Sequence, residues 1–177
     1  GFADLDYREI SAEALAAEHV AQGLFGINVC MLFTFWLWGV ANPHLARRGW
    51  SAERLIAHGM PLTLLLLVLI IGLGPQAGWP LWAAFCVSSS FGALAQPAVG
   101  MALPAQAVGR ALSAYNLVTF AGVFTMQWAI GLLIDGFARM GWDTVASFRG
   151  AMAVFGLCCA VAYGLFLRGY RRQRVGA

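Results

Sequence analysis

Among the uncharged polar side chains inside the long apolar stretches of this sequence, six are candidates for binding a ligand by hydrogen bonds. They are Asn28, Ser89, Gln96, Asn116, Thr119 and Gln127. A polar group surrounded by hydrocarbon needs a hydrogen-bonding partner, so each of these groups points either to a neighbouring helix or to a polar cavity. The first role is structural and the second is that of a ligand-binding site, and the sequence leaves both open.

Acidic side chains are missing from the same stretches. None of the stretches contains Asp or Glu, so no acid–base pair or proton relay can be assigned within them. The four cysteines have no metal-ligand spacing with a histidine, and we interpret them as reduced packing residues. They are Cys30, Cys86, Cys158 and Cys159. No zinc-protease, nucleophile-elbow or phosphate-loop motif occurs. The sequence therefore predicts a protein that is not an enzyme and has no metal or cofactor.

Composition indicates the solvent for which the chain is built. Apolar residues make up 60% and charged residues 11%, whereas soluble domains have about 45–50% and about 25%. A bilayer accommodates that much apolar surface, and water does not. The net charge of +3 comes from arginines that flank apolar stretches rather than from one basic face. We therefore expect contact with lipid and no binding of nucleic acid.

Five stretches lack Asp, Glu, Lys and Arg, and each is about long enough to cross ~30 Å of hydrocarbon as a helix. They are Val20–Pro43, Ile56–Gly74, Pro80–Ala102, Ala111–Ile134 and Gly150–Leu167. The sequence thus predicts an all-α, polytopic membrane bundle of five transmembrane helices over residues 20–167. Residues 1–19 would lead into the first helix from outside, with Ser11 as its N-cap, and residues 168–177 would form a basic cytoplasmic tail.

The arginines predict the orientation of these spans. With alternating spans, eight fall on the side of the C-terminal tail and three on the other. The eight are Arg47, Arg48, Arg54, Arg110, Arg168, Arg171, Arg172 and Arg174. The positive-inside rule then places the tail in the cytoplasm and the N-terminal segment outside, and we expect a bacterial inner membrane.

Polar residues divide the spans into two kinds. In the fourth span, Asn116, Thr119 and Gln127 fall with Ser113 within about 120° of the helix circumference, and in the third span Ser89 and Gln96 share a face. Pro97, beside Gln96, is expected to kink the third span and free backbone carbonyls next to a polar side chain. The second and fifth spans have few polar residues, which is typical of helices that face lipid.

Two loops carry a resemblance to a known family. The stretch from Gly39 to Gly49, with Arg47 and Arg48, is similar to the cytoplasmic loop motif of the major facilitator superfamily. Pro43 and His44 occupy the positions at which that motif has Asp and Arg. The stretch from Leu103 to Asn116 resembles the cytoplasmic turn before the eleventh helix of bacterial members. Its matching residues are Pro104, Gly109, Arg110, Ser113 and Asn116.

This resemblance implies that the chain is part of the C-terminal half of such a carrier, helices eight to twelve. It implies secondary active transport of a small organic solute by alternating access, with the eighth, tenth and eleventh helices lining the cavity. Gly39, Arg47, Arg48, Gly109 and Arg110 would belong to the cytoplasmic gate. The missing N-terminal helices would come from the same full-length chain or from a partner chain.

A second interpretation of the same sequence remains open. The chain could be a five-span assembly or scaffold subunit that transports nothing and is held to its partners by small residues. Gly156, Ala160 and Gly164 repeat at intervals of four and would let another helix approach closely. An upstream reading frame with about seven further spans would favour the carrier.

Overall fold

The computed structural model describes the backbone of residues 2–175 and the side chains of residues 17–172, and this part of the chain is helical without any β-strand. Six α-helices follow one another, with short 3₁₀ turns at Gly74–Gln76 and Ser90–Leu94. The helices are α1 (Phe2–Arg47), α2 (Ala52–Leu73), α3 (Trp79–Ser89), α4 (Ala95–Met101), α5 (Ala105–Arg139) and α6 (Thr144–Val175). The predicted all-α class is confirmed.

Four helical segments are long and apolar enough to cross a membrane. They are Ala17–Arg47, Ala52–Gln76, Ala105–Arg139 and Thr144–Arg172. The shortest has 25 residues, which at 1.5 Å per residue exceeds the ~30 Å thickness of the hydrocarbon. These segments contain the first, second, fourth and fifth predicted spans, so the fold is compatible with a multi-pass membrane protein.

The third predicted span, Pro80–Ala102, is helical but is not one α-helix. It is divided into α3, the 3₁₀ turn Ser90–Leu94 and α4, which we call together the divided helix. Ser88, Ser89 and Ser90 each donate a hydrogen bond to the carbonyl three residues earlier, at 2.6–2.9 Å, and so compete with the helical backbone pattern. The ring of Pro97 crowds the carbonyl four residues earlier, which lies in the 3₁₀ turn. The local sequence therefore explains the break.

In chain order α1, α2, the divided helix, α5 and α6 run in alternating directions between two ends of the bundle. At one end, Gly23 of α1 lies against Trp79 of α3, and Arg149 of α6 donates to the carbonyl of Gly72. At the other end, Ala52 and Leu94 form a buried cluster with Leu55, onto which Leu45 and Ala98 pack. The arginines that the sequence assigns to one side therefore do lie at one end, which we call the arginine-rich end.

Two predicted boundaries differ in the structure. Helix α1 already begins at Phe2, so Ser11 stands inside the helix and the prediction that it is an N-cap is wrong; no Gly or Pro between Phe2 and Val20 interrupts the helix. Helix α6 continues to Val175, so the first residues of the predicted basic tail extend the last helix. The side chains of residues 1–16 and 173–177 lie outside the described part.

Candidate functional site

The break in the divided helix is held from two sides. From α1, the indole nitrogen of Trp38 donates to the hydroxyl of Ser90 at 2.8 Å, and its ring meets Phe91 edge-on with centroids 5.2 Å apart. On α2, Gly59 leaves room for Phe91, because a Cβ atom at this position would lie 2.3 Å from the ring. The backbone of the break therefore has a defined position between α1 and α2.

One residue of the divided helix and one of α5 come together next to this break. The amide nitrogen of Gln96 donates to the amide oxygen of Asn116 across 3.5 Å, which is long compared with the usual range of about 2.7–3.2 Å. Both side chains are among those singled out in the sequence, and Pro97 follows Gln96 directly. A weak hydrogen bond thus joins the two helices and leaves most of the capacity of both amides free.

A third helix contributes to the same face. Phe35 and Asn42 of α1 line a cavity of about 250 Å³ together with Ala93 and Pro97. Asn28 stands seven residues before Phe35, which places it on the same face of α1 two turns away. We call this surface the front face. Its members are Asn28, Phe35 and Asn42 of α1, Gln96 and Pro97 of α4, and Asn116, Thr119 and Gln127 of α5.

The polar groups of the front face contribute little to holding the helices together. Asn28 donates to the carbonyl of Leu24 in its own helix at 2.8 Å. Thr119 and Gln127 are exposed and make no hydrogen bond within residues 17–172. Of the two roles left open by the sequence, interhelical hydrogen bonding within residues 17–172 applies only to Gln96 and Asn116 among these six side chains.

Ser89 does not join the front face. It is half-buried, and its hydroxyl donates a hydrogen bond to the carbonyl of Cys86 at 2.7 Å. A 3₁₀ turn advances about 120° per residue, whereas an α-helix advances about 100°. Five residues in the 3₁₀ turn therefore rotate α4 by about 100° from the position it would have in one continuous α-helix with α3. The polar stripe predicted along the third span assumed one continuous α-helix, and the break moves Ser89 away from Gln96.

The loop-motif residues stand near the arginine-rich end without touching one another. Gly39, Arg47, Arg48, Gly109 and Arg110 are all exposed. In the described part of the chain none of the three arginines forms an ion pair, and a Cβ atom at either glycine would meet nothing within 4 Å. The structure therefore places these residues near one end and assembles no gate from them.

Sequence reasoning missed three residues of the site. Ser90 and Phe91 fix the break, and Trp38 donates a hydrogen bond to the first and packs edge-on against the second. The run of three serines ahead of Phe91 is the signal that could have located the break. Among the described residues no group of three or more His, Cys, Asp and Glu could hold a metal ion, and the four cysteines are free thiols.

Comparison with protein-family models, with curated proteins and with solved structures gives no match to this chain. The site is therefore characterised by its own geometry: a broken helix, two flanking helices, and amide and hydroxyl groups without charge on the surface that the three share. Such a surface can donate and accept hydrogen bonds through uncharged amide and hydroxyl groups.

Proposed function

We propose that this chain is part of a secondary transporter that moves a small organic solute across a membrane by alternating access. We further propose that it corresponds to helices eight to twelve of a major facilitator carrier. The observation that carries the proposal is the divided helix, which breaks between two long helices that present amides beside it. Discontinuous helices with freed backbone carbonyls are a recurrent way of building substrate sites in transporters.

The chemistry of the front face favours an uncharged polar solute. Asn28, Gln96, Asn116, Thr119 and Gln127 offer donors and acceptors, and the described segments between the two ends contain no Asp, Glu, Lys or Arg. A charged solute bound at the front face would need an opposite charge beside it to offset the free-energy cost of its desolvation. Any coupling charge would then come from helices that cover the front face and are not part of this sequence.

The same proposal implies a location and an orientation for the chain in the membrane. The arginine-rich end would face the cytoplasm of a bacterial inner membrane, and the N-terminus of α1 would lie outside. Arg47, Arg48 and Arg110 would then stand at the cytoplasmic mouth of the cavity. A lone half cannot enclose a path, so the N-terminal helices of a full-length chain or a partner would close the other side.

Uptake measured with the longest reading frame that contains this chain tests the proposal. Membrane vesicles that carry it should accumulate at least one solute of a neutral polar panel. Asn116→Leu should lower that uptake about tenfold, because a hydrogen bond to a neutral ligand contributes up to about 1.5 kcal/mol. Thr125→Val is the matched control, since Thr125 lies nine residues from Asn116, on the opposite face of α5, and it should leave uptake unchanged.

The scaffold interpretation has one observation in its favour. In the apolar 18-residue stretches of α1 and α5, none of the residues is buried within this chain, so both helices offer surface to another protein. The uptake assay separates the two functions. Equal uptake by Asn116→Leu, Thr125→Val and the unaltered chain would remove the front face as a substrate site and favour the scaffold.

A further inference from the structure

Helices α2 and α6 pack against each other, and we call the surface beside their line of contact that faces away from the divided helix the groove. The residues that helix geometry places along it are Arg54, Leu65, Gly164 and Arg171. The hydroxyl of Tyr163 on α6 donates to the carbonyl of Ala57 on α2 at 2.6 Å, which fixes where the two helices touch. Seen from this contact, Arg54 lies three residues earlier on α2, about 60° round the helix, and Arg171 lies eight residues later on α6, about 80° round. Because the two helices are antiparallel, both rotations turn to the same side of the contact.

Both arginines also lie beyond the contact in the same direction along the helix axes. At 1.5 Å per residue, Arg54 is displaced by about 4.5 Å and Arg171 by about 12 Å toward the arginine-rich end. The difference of about 7.5 Å can be bridged by two arginine side chains that reach toward one anion. Arg172, the next residue, lies about 180° round α6 from Tyr163 and points out of the groove.

Arg54 is held in place but lacks an acceptor. Its guanidinium carbon lies 4.7 Å from the centre of the Trp50 ring, a cation–π contact that orients the group. Its Nε atom is buried without a hydrogen-bond partner. Glu53 is the only acid at this end among residues 17–172, and no ion pair links it to these arginines. The positive charge at the mouth of the groove is therefore uncompensated within the described part.

Below the arginines the groove is apolar and open. Leu65 of α2, eight residues after Ala57, is 56% exposed, and a Cβ atom at Gly164 of α6 would meet nothing within 4 Å. By helix geometry both positions lie on the same side of the Tyr163 contact as Arg54 and Arg171. The groove thus combines two guanidinium groups at its mouth with an uncovered apolar wall along its length.

We propose that this groove binds one anionic phospholipid, whose phosphate accepts hydrogen bonds from Arg54 and Arg171 and whose acyl chain lies along Leu65 and Gly164. The charge at the mouth selects an anionic headgroup over a zwitterionic one. The apolar wall distinguishes a lipid from a free phosphate ion, which would leave that wall uncovered. The inference concerns the surface opposite the front face and stands whether or not the chain transports a solute.

Thermal unfolding in detergent micelles with added lipid tests this site. Phosphatidylglycerol should raise the unfolding temperature in a saturable way, and phosphatidylcholine or inorganic phosphate should not. Arg54→Gln and Arg171→Gln should each raise the half-saturating mole fraction of phosphatidylglycerol about fivefold, which is the effect of losing about one basic contact to an anionic lipid. The matched control, Arg172→Gln, should shift it less than about twofold.

A second variant tests the apolar part of the groove. Gly164→Leu fills the space beside α6 without meeting another atom, so it should weaken phosphatidylglycerol binding while the unfolding temperature in phosphatidylcholine stays unchanged. If inorganic phosphate alone raised the unfolding temperature, the groove would be a site for a simple anion and the proposal of a lipid site would be wrong. Equal stabilisation by both lipids, or equal effects of Arg171→Gln and Arg172→Gln, would overturn the proposal.

Discussion

The helices at the back of the bundle, α2 and α6, and those at the front, α1 and α5, are all long and apolar enough to cross a membrane, but they differ in what covers them. In its apolar 18-residue stretch α2 has 33% of its residues buried and α6 has 11%, whereas α1 and α5 have none. The back helices are joined by specific contacts and carry few polar groups. The amides stand on the front helices, where this chain places little against them.

This contrast favours the proposed role of the polar residues in ligand binding over a role in holding the helices together. If the amides served to hold the helices together, they would be found where the helices pack most closely, because a hydrogen bond between helices needs both partners in contact. Instead, close packing at the back uses Gly59, Leu67 and Ile70. The polar side chains of the front are available to something outside the described part of the chain.

The largest effect on the free energy of unfolding is expected at Gly59, where the helices of the back pack most closely. Gly59→Ala would place a Cβ atom 2.3 Å from the ring of Phe91, and Trp38, which packs edge-on against the same ring, restricts its movement. Overpacking of this kind costs about 3 kcal/mol. We expect a corresponding loss in the free energy of unfolding, measured by denaturant titration in micelles.

The control for this variant lies in the same helix. Gly72→Ala adds the same methyl group at a position where a Cβ atom meets nothing within 4 Å, and it should change the free energy of unfolding by less than about 0.5 kcal/mol. Similar losses for both alanines would mean that the back is not tightly packed at the break, and the contrast between back and front would fail.

A smaller effect is expected at the contact between α2 and α6. Pro61 has no backbone N–H, so the carbonyl of Ala57, four residues earlier, lacks its helical partner, and the hydroxyl of Tyr163 supplies the missing donor at 2.6 Å. Tyr163→Phe leaves that carbonyl unsatisfied and should lower the free energy of unfolding by about 1–2 kcal/mol. Tyr115→Phe on α5, whose hydroxyl has no partner within residues 17–172, serves as the control and should be neutral.

A double-mutant cycle identifies the cause. Pro61→Ala restores the N–H group, so in that background Tyr163→Phe should cost clearly less than it does beside proline. If the cost of Tyr163→Phe is the same in both backgrounds, the hydroxyl stabilises the pair of helices for a reason other than the carbonyl freed by proline.

Local sequence determined much of this fold, and the remainder depends on partners distant in the chain. The length of the charge-free stretches was enough to predict four spans, and Pro97 indicated a disturbance in the third. Pro61 also lies inside a predicted span, yet α2 continues through it. The hydroxyl of Tyr163, 106 residues from Ala57 in the chain, donates to the Ala57 carbonyl that Pro61 leaves without its helical partner. No local pattern reveals such a partner. For the same reason the sequence could name Gln96 and Asn116 but not show that they meet.

The smallest effect should come from the front face, and its sign identifies what covers that face. Gln127 is exposed and makes no hydrogen bond within residues 17–172. If the front face borders a water-filled cavity, Gln127→Leu should change the free energy of unfolding by less than about 0.5 kcal/mol. If acyl chains cover it, the amide is unpaired in hydrocarbon, and its removal should stabilise the chain by about 1 kcal/mol or more.

Thr125→Val, on the other side of α5, gives the reference for a polar group lost outside the front face. Stabilisation by Gln127→Leu beyond that reference would place the front face in lipid, and the comparison between front and back would then no longer support a cavity.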